Sequence, residues 1–251
     1  MKKSQNLENN FIFWLTICFM TLFTEIFLRL RDIPAFIFPK PTEIFRGLME
    51  DKELLLSHTL TTVYEAFIGF TISIILSLII GALIYDKKRI KEILYPFLLI
   101  SQTVPLIAVA PLILIWFGFG ILPKIIIVVV ICLFPILISF LDGLNSVNQE
   151  VIDLFKVMRA RKIDIFRKCL FPASLPSLFA GLKISVTYSV MGAVIGEWLG
   201  AEKGLGIYMT RALSSFRTDY LFSAIIIVVI ISLILFKIIE LIEKFVLRWK
   251  G

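Results

Sequence analysis

Long apolar runs separated by short charged segments dominate this chain. An α-helix rises about 1.5 Å per residue and the hydrocarbon core of a bilayer is about 30 Å thick, so roughly 20 apolar residues make a span. Six segments have that character: Phe11 to Leu28, Leu60 to Tyr85, Ile93 to Phe117, Ile121 to Leu141, Leu178 to Leu199, and Leu221 to Ile239. Only Gly118, Phe119 and Gly120 separate the third from the fourth, and Pro123 opens the next run, which predicts a tight helical hairpin. Between the first two spans, Pro39-Lys40-Pro41-Thr42 precedes Ile44, Phe45, Leu48 and Met49 at helical spacing. That pattern fits a short helix on the membrane surface as well as it fits a plain connecting loop. No internal repeat stands out, which weighs against carriers built from inverted repeats.

One connection is too long to be only a connector. From Asp142 to Ser177 the hydropathy falls, whereas most loops run about 4 to 6 residues. Within it Val151, Leu154, Phe155 and Met158 fall at i, i+3, i+4 and i+7, one apolar face of a short helix, with Glu150, Asp153 and Lys156 facing elsewhere. After Arg159-Ala160-Arg161-Lys162, a second stripe of Ile163, Phe166 and Leu170 is expected to stop at Pro172 and Pro176. The segment reads as helix, turn, helix, docked on a partner or on the membrane face. The chain thus divides into residues 1–58, an N-terminal anchor with its amphipathic segment, and residues 59–251, a core that carries this loop at 142–177.

Composition agrees with a bilayer. Of the 251 residues 59% are hydrophobic and 18% charged, and the mean hydropathy is +0.94, which excludes an ordinary soluble enzyme or a disordered chain. The formal charge of +7 sits in clusters between apolar runs rather than along one face, so it argues for orientation and not for nucleic acid. Lys2 and Lys3, the Lys87 to Lys91 group, the Lys156 to Lys168 group and the Lys237 to Lys250 group alternate with the spans. By the positive-inside rule they share the cytoplasmic face, with both termini there. The segment between spans one and two carries Arg29, Arg31, Lys40, Arg46 and Lys52 on the opposite face, a modest count against the rule. The N-terminal run is read as a retained anchor rather than a signal peptide, since no small-x-small site follows it.

Candidate chemistry is sparse. In span five Ser177, Gly181, Ser185, Ser189 and Ala193 recur every four residues beside Gly192, Gly196 and Gly200, small residues that let helices approach closely, in static packing or beside a pathway. Glu197 lies among those glycines, where a carboxylate needs water, a partner or a cavity unless it reaches the surface. Gln102 and Thr103 sit among Pro96, Pro105 and Pro111, whose freed carbonyls suit a buried or cavity-lining stretch. With Tyr188 and Ser189 these are the pathway candidates. Glu25, Glu65 and His58 are expected at the interface. The three cysteines have no paired spacing and read as small hydrophobes. No GxxxxGK[ST] loop, metal-ligand cluster or nucleophile with a base is present, so no cofactor and no catalytic residue is expected, and any ATP hydrolysis belongs elsewhere.

Asp153-Leu154-Phe155, then Arg159-Ala160, then Leu170-Phe171-Pro172-Ala173-Ser174-Leu175-Pro176 resembles the EAA loop of ABC importer permeases. The resemblance covers spans two to six. It implies an all-α polytopic membrane protein with six transmembrane helices and a cytoplasmic coupling helix pair, a homodimer in the cell membrane. It also implies two partners, a cytoplasmic ABC ATPase subunit and an extracytoplasmic solute-binding protein. In that family the loop seats on the ATPase, which assigns the contact to Asp153, Lys156, Arg159, Ala160 and Arg161. Leu154 and Phe155 stand where the family has two alanines, and Arg159 where it has the turn glycine. A non-glycine residue in the left-handed region costs about 1 kcal/mol, so either the turn is right-handed here or the contact differs in detail. Gly196 to Gly200 with Gly204-Leu205-Gly206 and Tyr208-Met209 resembles the taurine, sulfonate and nitrate group, most of all its members for thiamine precursors of the hydroxymethylpyrimidine type. An ion-coupled secondary carrier using Glu25, Glu65 or Glu197 is the alternative from another class.

Overall fold

A computed structural model describes residues 2–248, with side chains described except at 2–11, 13, 14, 88 and 102. All regular structure among the described residues is helical: α1 (Lys2–Leu30), α2 (Pro41–Glu50), α3 (Lys52–Ile84), α4 (Lys88–Thr103), α5 (Leu106–Phe117), α6 (Ile121–Asn145), α7 (Gln149–Val157), α8 (Lys162–Ile165), a π-turn at Phe166–Leu170, α9 (Phe171–Trp198), α10 (Leu205–Ser214) and α11 (Thr218–Val246). The core is α6 held between α3 and α9, with α11 along the other side of α9.

Apolar side chains alone do not bring helices together in lipid, because the lipid tails are as apolar as leucine; close backbone approach and interhelical hydrogen bonds do. On α3 the residues Gly69, Ser73, Ser77 and Gly81 form one stripe facing α6. A Cβ on Gly69 would stand 2.5 Å from Val128 Cβ, and one on Gly81 would stand 2.4 Å from Phe140 Cδ1. The two serines donate across the same seam, Ser73 to the Val129 carbonyl at 3.3 Å and Ser77 to the Leu133 carbonyl at 3.0 Å. On the opposite side of α6, Gly181 of α9 lies against Ser139, and Cys132 and Ser185 bond each other's carbonyls.

Three expectations are revised. Among the described residues four helices are long and apolar enough to span, α3, α6, the continuous Lys162–Trp198 helix and α11, or five if Arg89–Ser101 and Leu106–Phe117 count as one span. The six-span count is not reached, and the segment expected at Phe11–Leu28 lies partly outside the described side chains. Second, span three, made of that pair, is not straight. It breaks at Thr103–Pro105 and bends by 100°, because Pro105 has no N–H to continue the ladder and holds Val104 extended at ψ 121°. Third, Pro172 and Pro176 do not end a helix. The π-turn absorbs the first of them, with the Phe171 N–H donating five residues back to the Phe166 carbonyl. The loop's second helix therefore runs without a gap into span five. Of the two readings of the segment after Pro39 the helix is the one present, as α2, and its N-terminal Thr42 N–H and hydroxyl both donate to Glu25 of α1.

Gly69→Ala is expected to cost about 1–3 kcal/mol, because the new methyl overlaps a β-branched side chain fixed in the seam. A lower thermal unfolding midpoint in detergent checks it, and an unchanged midpoint would mean the seam yields.

Candidate functional site

Three places on the bundle carry polar chemistry or open space: one end where α10 packs, the opposite end where α7 and α8 protrude, and the broken helix between them.

At the first end, His58, Thr62 and Glu65 lie at i, i+4 and i+7 on one face of α3, all buried. They meet the start of α10. Its first N–H groups have no partners within their own helix, and each is taken by a side chain from elsewhere. Gly204 N–H donates to His58 Nδ1 at 2.8 Å, Leu205 N–H to Thr62 Oγ1 at 2.9 Å, and Gly206 N–H to Glu197 Oε2 at 2.6 Å. Thr62 in turn donates to Glu197 Oε1 at 2.7 Å. The two glycines are required: a Cβ on Gly204 would overlap the Glu197 carboxyl at 2.1 Å, and one on Gly206 would overlap the Val194 carbonyl at 2.3 Å. Beside this cap, Lys124 Nζ of α6 stands 2.9 Å from Glu65 Oε1. Gly196 allows the contact, its missing Cβ lying 3.3 Å from Lys124 Cα. Glu65 Oε2 is buried without a hydrogen-bond partner among the described residues. Further out, the Tyr208 hydroxyl donates to Asp51 at 2.9 Å, and burial together with the Asp51 carboxylate holds that phenol above the ordinary tyrosine range.

Glu197, Glu65 and His58 are thus internal rather than surface-seeking, with exposures of 0%, 1% and 3%. Lys124, a single lysine in the first turn of an apolar run, is the member that sequence reasoning passed over. Carboxylates inside spans call for a cation inside a span. The same signal points to Lys183 of α9, which pairs with Glu243 of α11 at 2.9 Å.

At the opposite end, α7 begins on an Asn148 cap whose side chain accepts from Glu150 N–H. It ends in a left-handed turn with Arg159 at φ +57°. Ala160 N–H donates to Phe155 O at 3.0 Å and Arg159 N–H to Lys156 O at 2.9 Å, the paired bonds of a Schellman cap. The left-handed geometry that a glycine would supply is therefore kept with arginine in its place. Phe155 and Ile152 pack inward on the core, while Val151, Leu154, Val157 and Met158 are exposed. The apolar face expected from Val151, Leu154, Phe155 and Met158 is split, Phe155 turning in and the other three out. Asp153 accepts from Lys156 at 2.8 Å and Gln149 at 3.1 Å, which holds its carboxyl below the usual carboxylate range. Arg161 lies 3.8 Å from Asp164. The ring of Phe166 in the π-turn rests on Tyr85 at 5.0 Å and Phe171 at 6.0 Å, tying the protrusion to the bundle.

Between the ends, the break in α4–α5 borders a cavity of about 460 Å3 lined by Ser101, Val104, Phe134, Tyr188 and Met191, among others. Of the pathway candidates, Tyr188 lines it. Ser189 is buried and donates to its own helix at Val186 O, and Thr103 donates to Ile100 O. The Gln102 side chain lies outside the described residues. Gly192 packs on Ile131 of α6, whereas Gly200 lies beyond the end of α9 at φ +130°, a turn residue rather than part of the helical stripe.

The family model for binding-protein-dependent transport system inner membrane components matches residues 73–248. The formylaminopyrimidine transport permease protein ThiX of Halalkalibacterium halodurans is 34% identical over 251 residues, 100% of this chain and 99% of that protein. The taurine transport system permease protein TauC of Escherichia coli is 24% identical over 240 residues, 95% of this chain and 86% of that protein. Among solved structures, an inward-facing form of the MetNI methionine ABC transporter superposes with a TM-score of 0.68 at 19% identity, covering 78% of this chain and 98% of that one.

Lys124→Met leaves Glu65 as an uncompensated buried charge and is expected to destabilise the fold by about 3–5 kcal/mol. The double variant Glu65→Met with Lys124→Met removes both charges and should recover most of that loss. Unfolding midpoints of the wild type and these two variants in one detergent decide it; a double variant as unstable as the single would show that the pair does not account for the effect.

Proposed function

The chain belongs to the binding-protein-dependent transport system inner membrane components, and from that premise we propose how it couples, how it is oriented and what it carries. It is the permease subunit of an ABC importer, a transport subunit and not an enzyme, working with an ATPase subunit and a solute-binding protein. In the proposed arrangement the α7 end faces the cytoplasm, with both termini on that side, and two copies of the chain enclose the solute path. The basic clusters on that end support the orientation.

One observation carries the coupling proposal: the helix that starts at Lys162, directly after the exposed turn at Arg159, continues unbroken to Trp198. Force on α7 and α8 is thereby delivered into the helix that borders the cavity. The exposed Val151, Leu154, Val157 and Met158 supply a compact apolar patch for the ATPase. Asp153, Lys156, Arg159, Ala160 and Arg161 surround that patch and correspond to the EAA-loop contact. The outward-open and inward-open states then differ in contact free energy supplied by ATP and by the loaded binding protein.

For cargo, the relation to ThiX, full-length at 34% identity, supports a pyrimidine precursor of thiamine of the hydroxymethylpyrimidine type. Taurine or a sulfonate is the second reading, supported by the similarity to TauC.

Leu154→Asp is expected to lower ATPase co-purification and solute-stimulated ATP turnover by about tenfold, the effect of losing about 1.4 kcal/mol of contact. The unfolding midpoint of the permease should stay within the small range of surface substitutions. Normal stimulation by this variant would remove α7 from the contact. A cysteine at Glu150 should react with an impermeant thiol reagent only after the cells are permeabilised, and labelling from outside would reverse the orientation.

A further inference from the structure

The cavity at the broken helix differs in kind from the polar ends of the bundle. Among the described residues its ten lining members, Ser101 and Tyr188 included, hold no Asp, Glu, Lys, Arg or His. About 460 Å3 lies within the range of roughly 300–1,000 Å3 typical of small-molecule sites. The Tyr188 hydroxyl has no hydrogen-bond partner among the described residues, and 40% of the residue is exposed. Met191, one helical turn on, presents a polarisable thioether beside it, and Phe134 lies across from them. The break contributes backbone groups as well. α5 begins at Leu106 with leading N–H groups of which that of Ala108 goes to the Pro105 carbonyl, and the last carbonyls of α4, before Thr103, lack N–H partners within the helix, that of Ile100 taking the Thr103 hydroxyl instead. Non-helical backbone at this depth is tolerated where it lines a cavity.

We propose that this cavity is the solute subsite of the permease and that it takes an uncharged, flat heteroaromatic ring, its face packed against Phe134 and Met191 and its edge hydrogen-bonded by the Tyr188 hydroxyl and the backbone of the helix break. The assignment rests on the importer reading and selects between its two classes of cargo. A sulfonate moved into this site loses hydration worth several kcal/mol and meets no counter-charge. The N-terminus of α5 could return at most about 1–2 kcal/mol, and the C-terminus of α4, opposite in sign, ends at the same break. A neutral ring bearing both donors and acceptors incurs no such loss, because the break offers both kinds of partner.

The test is solute protection of a single cysteine. In the assembled permease–ATPase complex, with Cys18, Cys132 and Cys169 replaced by alanine, Met191→Cys is labelled with N-ethylmaleimide in the presence of hydroxymethylpyrimidine or of ethanesulfonate. The pyrimidine is expected to slow labelling about tenfold at ten times its dissociation constant, and ethanesulfonate to leave it unchanged. Adding Tyr188→Phe should weaken pyrimidine binding by about threefold to tenfold, the worth of one hydrogen bond, and Tyr188→Ala should abolish the protection. Equal protection by ethanesulfonate, or none by the pyrimidine, overturns the assignment. A cysteine that fails to react with no solute present means the face is covered by a second copy or by lipid, and overturns it too. Failure of the importer reading looks different: the wild-type complex would not assemble or would not turn over ATP.

Discussion

A polar group sealed away from water needs a partner, and at the α10 end that rule fixes the positions of four helices at once. The first three N–H groups of α10 go to His58, Thr62 and Glu197, so α3 and α9 together cap a helix that cannot cap itself. The Glu197 carboxyl sits at the N-terminus of α10 and accepts from both Thr62 and the Gly206 N–H there. Glu65 is balanced instead by Lys124 from α6. Displacing any one of these side chains strands another, so this end behaves as one unit.

Such a cluster forms only if the helices come close, and the small residues see to that. Gly69 and Gly81 bring α3 onto α6, and Gly181, Gly192 and Gly196 bring α9 onto its other side. The side chains of Lys124 and Glu65 then meet across a distance that bulkier neighbours would not permit. By contrast α5 is held mainly through a small separate cluster of Ala110, Ile113 and Ile127, and among the described residues α4 reaches the main core only through Leu94 and Leu98. The molecule combines a tightly joined α3–α6–α9 core with a less anchored broken helix. An alternating pathway calls for that division, since the α7 protrusion is fastened to the first and the cavity borders the second.

Much of this was legible in the sequence. The all-helical class, the Gly118–Gly120 hairpin and the helix-turn-helix around Arg159 follow from apolar period and turn chemistry, which are local, whereas the same pattern left α2 open between helix and loop. The straightness of a helix is less local. Pro105 and Pro172 are equivalent as letters, yet one bends its helix by 100° and the other is absorbed in a π-turn braced by Phe166 and Phe171. Composition does not reveal which neighbours will stabilise a widened turn. The capping of α10 was harder still, because its three partners lie 9 to 146 residues away in the chain. Glu197 looked like an edge carboxylate because its position near the end of an apolar run says nothing about what folds back over it. Lys124 carried a readable signal, as the counter-charge that membrane carboxylates require.

Carboxylates at Glu25, Glu65 and Glu197 are what the alternative, an ion-coupled carrier, would use, and their surroundings argue against it. An ion-coupling group has to exchange its ion with solvent, whereas Glu197 is enclosed by α10 and Glu65 by Lys124, and Glu25 is engaged with Arg29 at 2.7 Å and with Thr42. Opening Glu197 or Glu65 on every cycle would require parting the bonds that hold the bundle together. An ATP-driven importer has no such need. In the proposed coupling its energy arrives through the α7 end, which leaves the charged residues free to be structural. The surface that meets the solute can then be the uncharged one, where a broken backbone offers hydrogen bonds without a fixed charge to hold a passing molecule too tightly.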